Sequence, residues 1–353
     1  MKRLLTGVGG VVLIVLGSPA PSMAWDYDGH RIINQLAQAS LPTNFPAFAM
    51  TPATRERIAF LSGEADRWRN SPDLPFKHSN GPDHYLDMEE LAAYELEPAS
   101  LPAFRYDFAA QLARARAAHP ERFPAIDPNK DADHTRALIG FLPWTITEDY
   151  AKLKSGFSYL KALEEAGTPE EVANAQQNII YVMGVMGHFV GDGAQPLHTT
   201  RHHHVWVGKN PLGYTTNSTF HAWIDGGYIR KVGLKLDDLL PKVRPARPLT
   251  LDESRSNPTN IFPIALAYLI DQQRLVETLY QLDQAKKLSS HGETAPEGYE
   301  FITGQMLKAA QMLGDLWLAA WQHAPADRYL KDQLAKRKPA AARASAGTEE
   351  SGK

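Results

Sequence analysis

The chemistry this sequence can offer begins with two pairs of side chains set four residues apart, His188 with Asp192 and His221 with Asp225. On a helix that spacing stacks both members on one face, so each pair presents an imidazole nitrogen beside a carboxylate oxygen. Such a pair suits a divalent cation, and a buried ionised aspartate needs a partner of that kind. One pair alone arises easily by chance. Here, however, Asp192 is followed by Gly193-Ala194-Gln195-Pro196-Leu197-His198. Upstream lie His84-Tyr85-Leu86-Asp87, Gly63-Glu64-Ala65-Asp66 and Trp25-x4-His30. The recurrence of His and Asp on several expected helices predicts metal binding. With no cysteine in the chain, the donors are nitrogen and oxygen alone, which favours open catalytic zinc sites over thiolate-closed structural ones.

The elements that must position these residues read as helices. Ile32, Ile33, Leu36 and Ala37 form one apolar stripe, stopped near Pro42, and Ile58, Leu61, Ala65 and Trp68 form another. The stretch from Glu171 to Asp192 is apolar nearly all round and predicts a central buried helix, with Gly184, Gly187 and Gly191 admitting its neighbours closely. Ile264 to Leu282 and Phe301 to Trp321 predict two further long helices. Pro- and Gly-containing connections are expected near 70–83, 119–130, 193–218 and 243–260. No sustained strand-like alternation and no repeat is present, so the expectation is an all-α single domain over 25–335.

The ends of the chain read differently. Lys2 and Arg3, the apolar stretch from Val11 to Leu16 and Ser22-Met23-Ala24 follow the order of a secretory signal peptide over 1–24. The apolar run is shorter than the roughly 20 residues of a membrane span. Cleavage after Ala24 would leave Trp25 at the amino terminus, in the periplasm or outside the cell. From about Lys336 the composition predicts a disordered tail over 336–353. The formal charge is -3, and loss of Lys2 and Arg3 would bring it to -5. That balance argues against a broad basic surface for gripping duplex phosphates. Bound cations would change it locally.

In its ligands and their order the sequence resembles the phospholipase C and single-strand-specific nuclease superfamily, and within it the zinc nucleases of the mung bean and fungal type. The resemblance rests on Trp25, His30, Asp66, His84, His188, Asp192, His198, His221 and Asp225, and on the block from His188 through Gln195-Pro196-Leu197-His198. It implies an all-helical domain with a cleft holding three zinc ions. Asp66, His84, His188 and Asp192 would bind the first. Asp192 would bridge to a second, held also by His30 and by the amino nitrogen and carbonyl oxygen of Trp25, and His198, His221 and Asp225 would hold the third. Activation of water between the bridged pair, with stabilisation of the departing 3′ oxygen at the third site, would leave 5′-phosphate products. The resemblance leaves room for 3′-nucleotidase action as well.

It also implies roles for three further residues. Arg69, three residues after Asp66, matches an arginine that steadies the phosphate, a task suited to a guanidinium fork. Tyr85 and Asp87 stand where the family stacks a base and hydrogen-bonds its edge, which selects single-stranded DNA or RNA. The residues alone fit packing for Tyr85 and orientation of a ligand histidine for Asp87 equally well. His202-His203-His204 reads as a solvated polar loop. Three departures stand out: the absence of disulfides, Thr219-Phe220 before His221 in place of Asn-Leu, and a long insertion over 85–187. The nearest rival is a phospholipase C on lipid head groups, against which Asp225 speaks, since that branch carries glutamate there. A non-catalytic envelope zinc-binding protein is the other. No stable membrane association and no protein partner are expected.

Overall fold

The computed structural model describes residues 25–251 and 261–337. The signal peptide expected over 1–24 lies outside the described residues, as do 252–260 and the tail from 338 onward. Among the described residues the fold is all-helical, without a strand. The helices run in order α1 (Asp26–Ser40), α2 (Pro52–Leu61), α3 (Glu64–Arg69), α4 (Leu74–Asn80), α5 (Arg105–Ala118), α6 (Leu142–Ala166), α7 (Pro169–Ala194) and the one-turn α8 (Phe220–Ala222). They continue with α9 (Tyr228–Val232), α10 (Leu236–Leu239), α11 (Ile261–Gln273), α12 (Val276–Gln284) and α13 (Pro296–Gln322), and a last helix covers 328–337. None of the described helices is long and apolar enough to cross a membrane.

The helix at the centre is α7, which packs against α1, α2, α6 and α13. It starts at a capping box, in which the Thr168 hydroxyl accepts from the Glu171 N–H and the Glu171 carboxylate accepts from the Thr168 N–H. Its first two turns are largely open to solvent, whereas every residue from Met183 to Ala194 is buried. That restricts the all-round apolar character expected for Glu171 to Asp192 to the second half. The small residues there let other elements approach. A Cβ on Gly187 would lie 1.9 Å from Asn34 Oδ1, and one on Gly191 would lie 2.7 Å from His30 Nδ1. Asn34 uses that closeness to tie three helices, donating to Ile58 O at 3.0 Å and Gly184 O at 2.9 Å. Apolar side chains fill the remaining volume, among them Ile33, Leu36, Leu61, Val190 and Trp317. Each fully buried aliphatic side chain contributes about 1.5–3 kcal/mol.

The structure corrects several expectations. The stripe from Ile58 to Trp68 is two helices, broken at Ser62-Gly63. The stretch from Ile264 to Leu282 is likewise two helices, α11 and α12. The connection near 70–83 contains α4 and a 3-10 turn over Gly81–His84. Within the insertion over 85–187 the longest element is α6, which lies along α7 and supplies core. Lys336 and Arg337, where the tail was expected to begin, are still helical.

Candidate metal centre

The break at Ser62-Gly63 has a chemical consequence. A helix end leaves carbonyls without intrahelical partners, and the Ser62 carbonyl accepts from His188 Nδ1 at 2.7 Å. An imidazole that donates through Nδ1 keeps its lone pair on Nε2. His188 Nε2 faces His84 Nδ1 at 3.1 Å, Asp192 Oδ2 at 3.4 Å and Asp66 Oδ1 at 3.7 Å. The same device recurs at His198, whose Nδ1 donates to His84 O at 2.6 Å, so that its Nε2 lone pair meets His221 Nε2 at 3.1 Å. A ligand histidine commonly gives its other N–H to a carbonyl in this way.

Three groups result, each with its ligand atoms within 4.8 Å of one another and every member buried: His30, His188 and Asp192; Asp66, His84 and His188; and His198, His221 and Asp225. Asp192 sits among them, with Oδ1 3.3 Å from His30 Nε2 and Oδ2 2.9 Å from His84 Nδ1. His188 has one lone pair and so can serve one cation, and its distances favour the group with Asp66 and His84. His30 and Asp192 then need another donor. Trp25 is close by, its indole N–H donating to Gly191 O at 2.7 Å. The backbone of Trp25 is held in the left-handed region, φ 42°, which costs a bulky L-residue about 1–3 kcal/mol.

The residues fit a metal on an observation of their own. His30 Nε2 and Asp192 Oδ1, which face each other at 3.3 Å, are fully buried polar atoms without a hydrogen bond. Native interiors leave few such atoms. A cation between facing lone pairs turns repulsion into ligation, and the imidazole and carboxylate donors suit zinc. The electrostatics agree. Burial holds His84 down to about 3 and His198 to about 4, and carries His221 well below the usual imidazole range. These rings are therefore neutral at pH 7 and ready to ligate. Burial would raise Asp192, but His188 and His198 outweigh it and keep the carboxylate ionised. Burial pushes Asp225 up to about 8, so a cation there would displace a proton.

His221 and Asp225 lie in the helical setting expected, with one modification. The segment passes from α8 into a π-helix over Trp223–Gly227 and then into α9. Wide π turns are frequent at functional sites. His221 Nε2 and Asp225 Oδ2 are 3.0 Å apart, and Gln195 Nε2 donates to Asp225 Oδ1 at 2.8 Å. Phe220 is buried in the core beside this turn.

The other anticipated residues gather at the same place. Arg69 Nε lies 2.8 Å from Asp66 Oδ1. Tyr85 and Asp87 are half-buried on the segment after His84, which runs beside His198 through the bond from Leu86 N–H to His198 O at 2.9 Å. Asp87 Oδ1 is buried without a hydrogen bond, and burial with Glu89 nearby pushes this carboxyl up to about 8. The loop of histidines is solvated only in part, since His202 is buried and His203 half-buried while His204 is exposed. Sequence reasoning missed the Ser62 and His84 carbonyls as orienting groups, and a backbone acceptor leaves no trace in residue type. Cavities of about 640 Å³ beside Lys242, Arg244 and Lys308 and about 680 Å³ beside Thr215, Trp223 and Ser289 include none of these donors. Ligand geometry rather than volume marks the site. A scan of the chain against protein-family models finds no match, and a search of the curated proteins finds none either.

Proposed function

We propose that this chain is an exported zinc-dependent phosphodiesterase of the phospholipase C and zinc nuclease type, acting as an endonuclease on single-stranded nucleic acid. The observation that carries the reading is the three buried His and Asp groups arranged around Asp192. In this reading Asp66, His84, His188 and Asp192 hold one zinc. Asp192 also serves a second with His30, and the missing donor there is the amine of Trp25, freed when a signal peptide over 1–24 is removed. His198, His221 and Asp225 hold the third. When bound, the zinc ions supply an acidified water and Lewis-acid stabilisation of phosphoryl oxygens.

The chain's own residues do the rest. The carbonyls of Ser62 and His84 fix the tautomers of His188 and His198. Gln195 orients Asp225. Arg69, anchored on Asp66, presents N–H groups to a phosphate oxygen. Tyr85 offers a face for one unpaired base and Asp87 a carboxyl for its edge, which supports single strands over duplex.

The test is digestion by protein that begins at Trp25, with and without a chelator, of single-stranded DNA, RNA and phosphatidylcholine vesicles. Chelator-sensitive cleavage of nucleic acid with 5′-phosphate ends is expected. Cleavage of the lipid alone would move the activity to the phospholipase branch, and bound metal without hydrolysis of any substrate would make this a zinc-binding protein.

A further inference from the structure

Within the run His202-His203-His204 the three rings do different things. His202 is stacked on Trp206 with ring centroids 4.2 Å apart, and its Nδ1 accepts from the Val207 N–H at 2.9 Å. Its carbonyl accepts the Tyr280 hydroxyl. These contacts pin the loop from inside. His203 Nδ1 donates to Thr200 O at 3.2 Å and lies 3.8 Å from Asp87 Oδ1. His204 packs edge-on to His203, with centroids 4.6 Å apart, and reaches back over the third donor group, 5.3 Å from the His221 ring. The two rings that share that group, His198 and His221, are 5.0 Å apart.

His204 nevertheless stands outside the group of mutually close ligand atoms. Its ring is exposed, and neither ring nitrogen has a hydrogen bond to a described residue. An exposed imidazole held at the edge of the third group by its packing on His203 and His221, with its polar atoms uncommitted, is placed to meet a ligand rather than to build the fold.

We infer that His204 is a substrate-contacting residue whose ring N–H hydrogen-bonds the oxygen departing from phosphorus, with His203 as the positioning residue behind it. This rests on the phosphodiesterase reading. In hydrolysis, water adds its oxygen to phosphorus and the ester P–O bond breaks. The departing oxygen keeps the electron pair and takes up the proton that water loses. Charge grows on that oxygen as the bond breaks, and a donor already in place stabilises it most at that point. Either protonation state of imidazole offers an N–H.

The contact matters most when the departing group is a poor one. His204→Ala in the zinc-loaded mature protein is expected to lower kcat on a deoxydinucleotide by about 100-fold. On bis(4-nitrophenyl) phosphate, whose nitrophenolate leaves unaided, the loss should be several-fold at most. His204→Gln, which keeps an N–H, should recover part of the dinucleotide rate. Zinc content and melting temperature should match the wild type. Equal losses on the two esters, or no loss on either, would overturn the inference, and loss of one zinc per chain would make His204 a ligand instead. A wild-type protein that is fully loaded yet hydrolyses neither ester would sink the phosphodiesterase reading itself, a result distinct from any failure of the variant.

Discussion

Replacing Asp192 by asparagine tests the centre at the residue on which most of it converges. The side chain is fully buried, and its oxygens lie 2.9–3.8 Å from nitrogens of His30, His84, His188 and His198. A cation ligated by His30, His84 or His188 would sit within about 4 Å of the carboxylate charge. At the effective dielectric of about 20 that describes such sites, one unit of charge on each side at that distance is worth about 4 kcal/mol. Asparagine keeps the shape and removes the charge, so each cation next to Asp192 should bind at least about 1,000-fold more weakly. The assay is metal content by elemental analysis after equilibration at fixed free zinc, beside hydrolysis of single-stranded DNA. The variant should lose zinc at the two sites that share Asp192, retain it at the His198 group, and lose activity. Full zinc and full activity in Asp192→Asn would refute the bridging role and the mechanism built on it.

Two further changes probe other links. Tyr85→Ala should lower kcat/KM on single-stranded DNA by about 5- to 150-fold, the range that stacking of one base is worth, and should lower it much less on bis(4-nitrophenyl) phosphate. Equal losses on the two would remove the base platform. Asp149 on α6 is buried away from the metal centre, with Oδ2 lacking a hydrogen bond and Oδ1 2.8 Å from Lys152 Nζ. Burial raises its pKa despite Lys152. A carboxyl raised on folding destabilises the protein at pH above its folded pKa, and that penalty fades as pH falls through the ordinary carboxylate value near 4. Asp149→Asn should therefore raise the melting temperature at pH 7 and give little gain near pH 3.5. A gain of equal size at both pH values would show that charge is not the cause.

Much of this protein is legible in residue type and spacing because the rules involved are local. The i, i+4 geometry of a helix decides that His188 and Asp192 share a face, and the apolar stripe through Ile33, Leu36 and Ala37 decides which side of α1 turns inward. The small residues at 184, 187 and 191 announce close approach, and α1 and α2 take it up. Spacing alone did not decide where helices stop. Both overlong helices were broken by tertiary demands that override a continuous apolar pattern, and at Ser62-Gly63 the break frees the carbonyl that orients His188. Nor can one-dimensional order say which donors face one another. His84 and His188 lie 104 residues apart in the chain, yet their ring nitrogens are 3.1 Å apart. That convergence, the orphaned polar atoms it leaves and the turning of His204 over His221 depend on long-range packing around α7. Side-chain identity thus set the chemistry available, and packing decided which groups share a cation and which remain free to meet substrate.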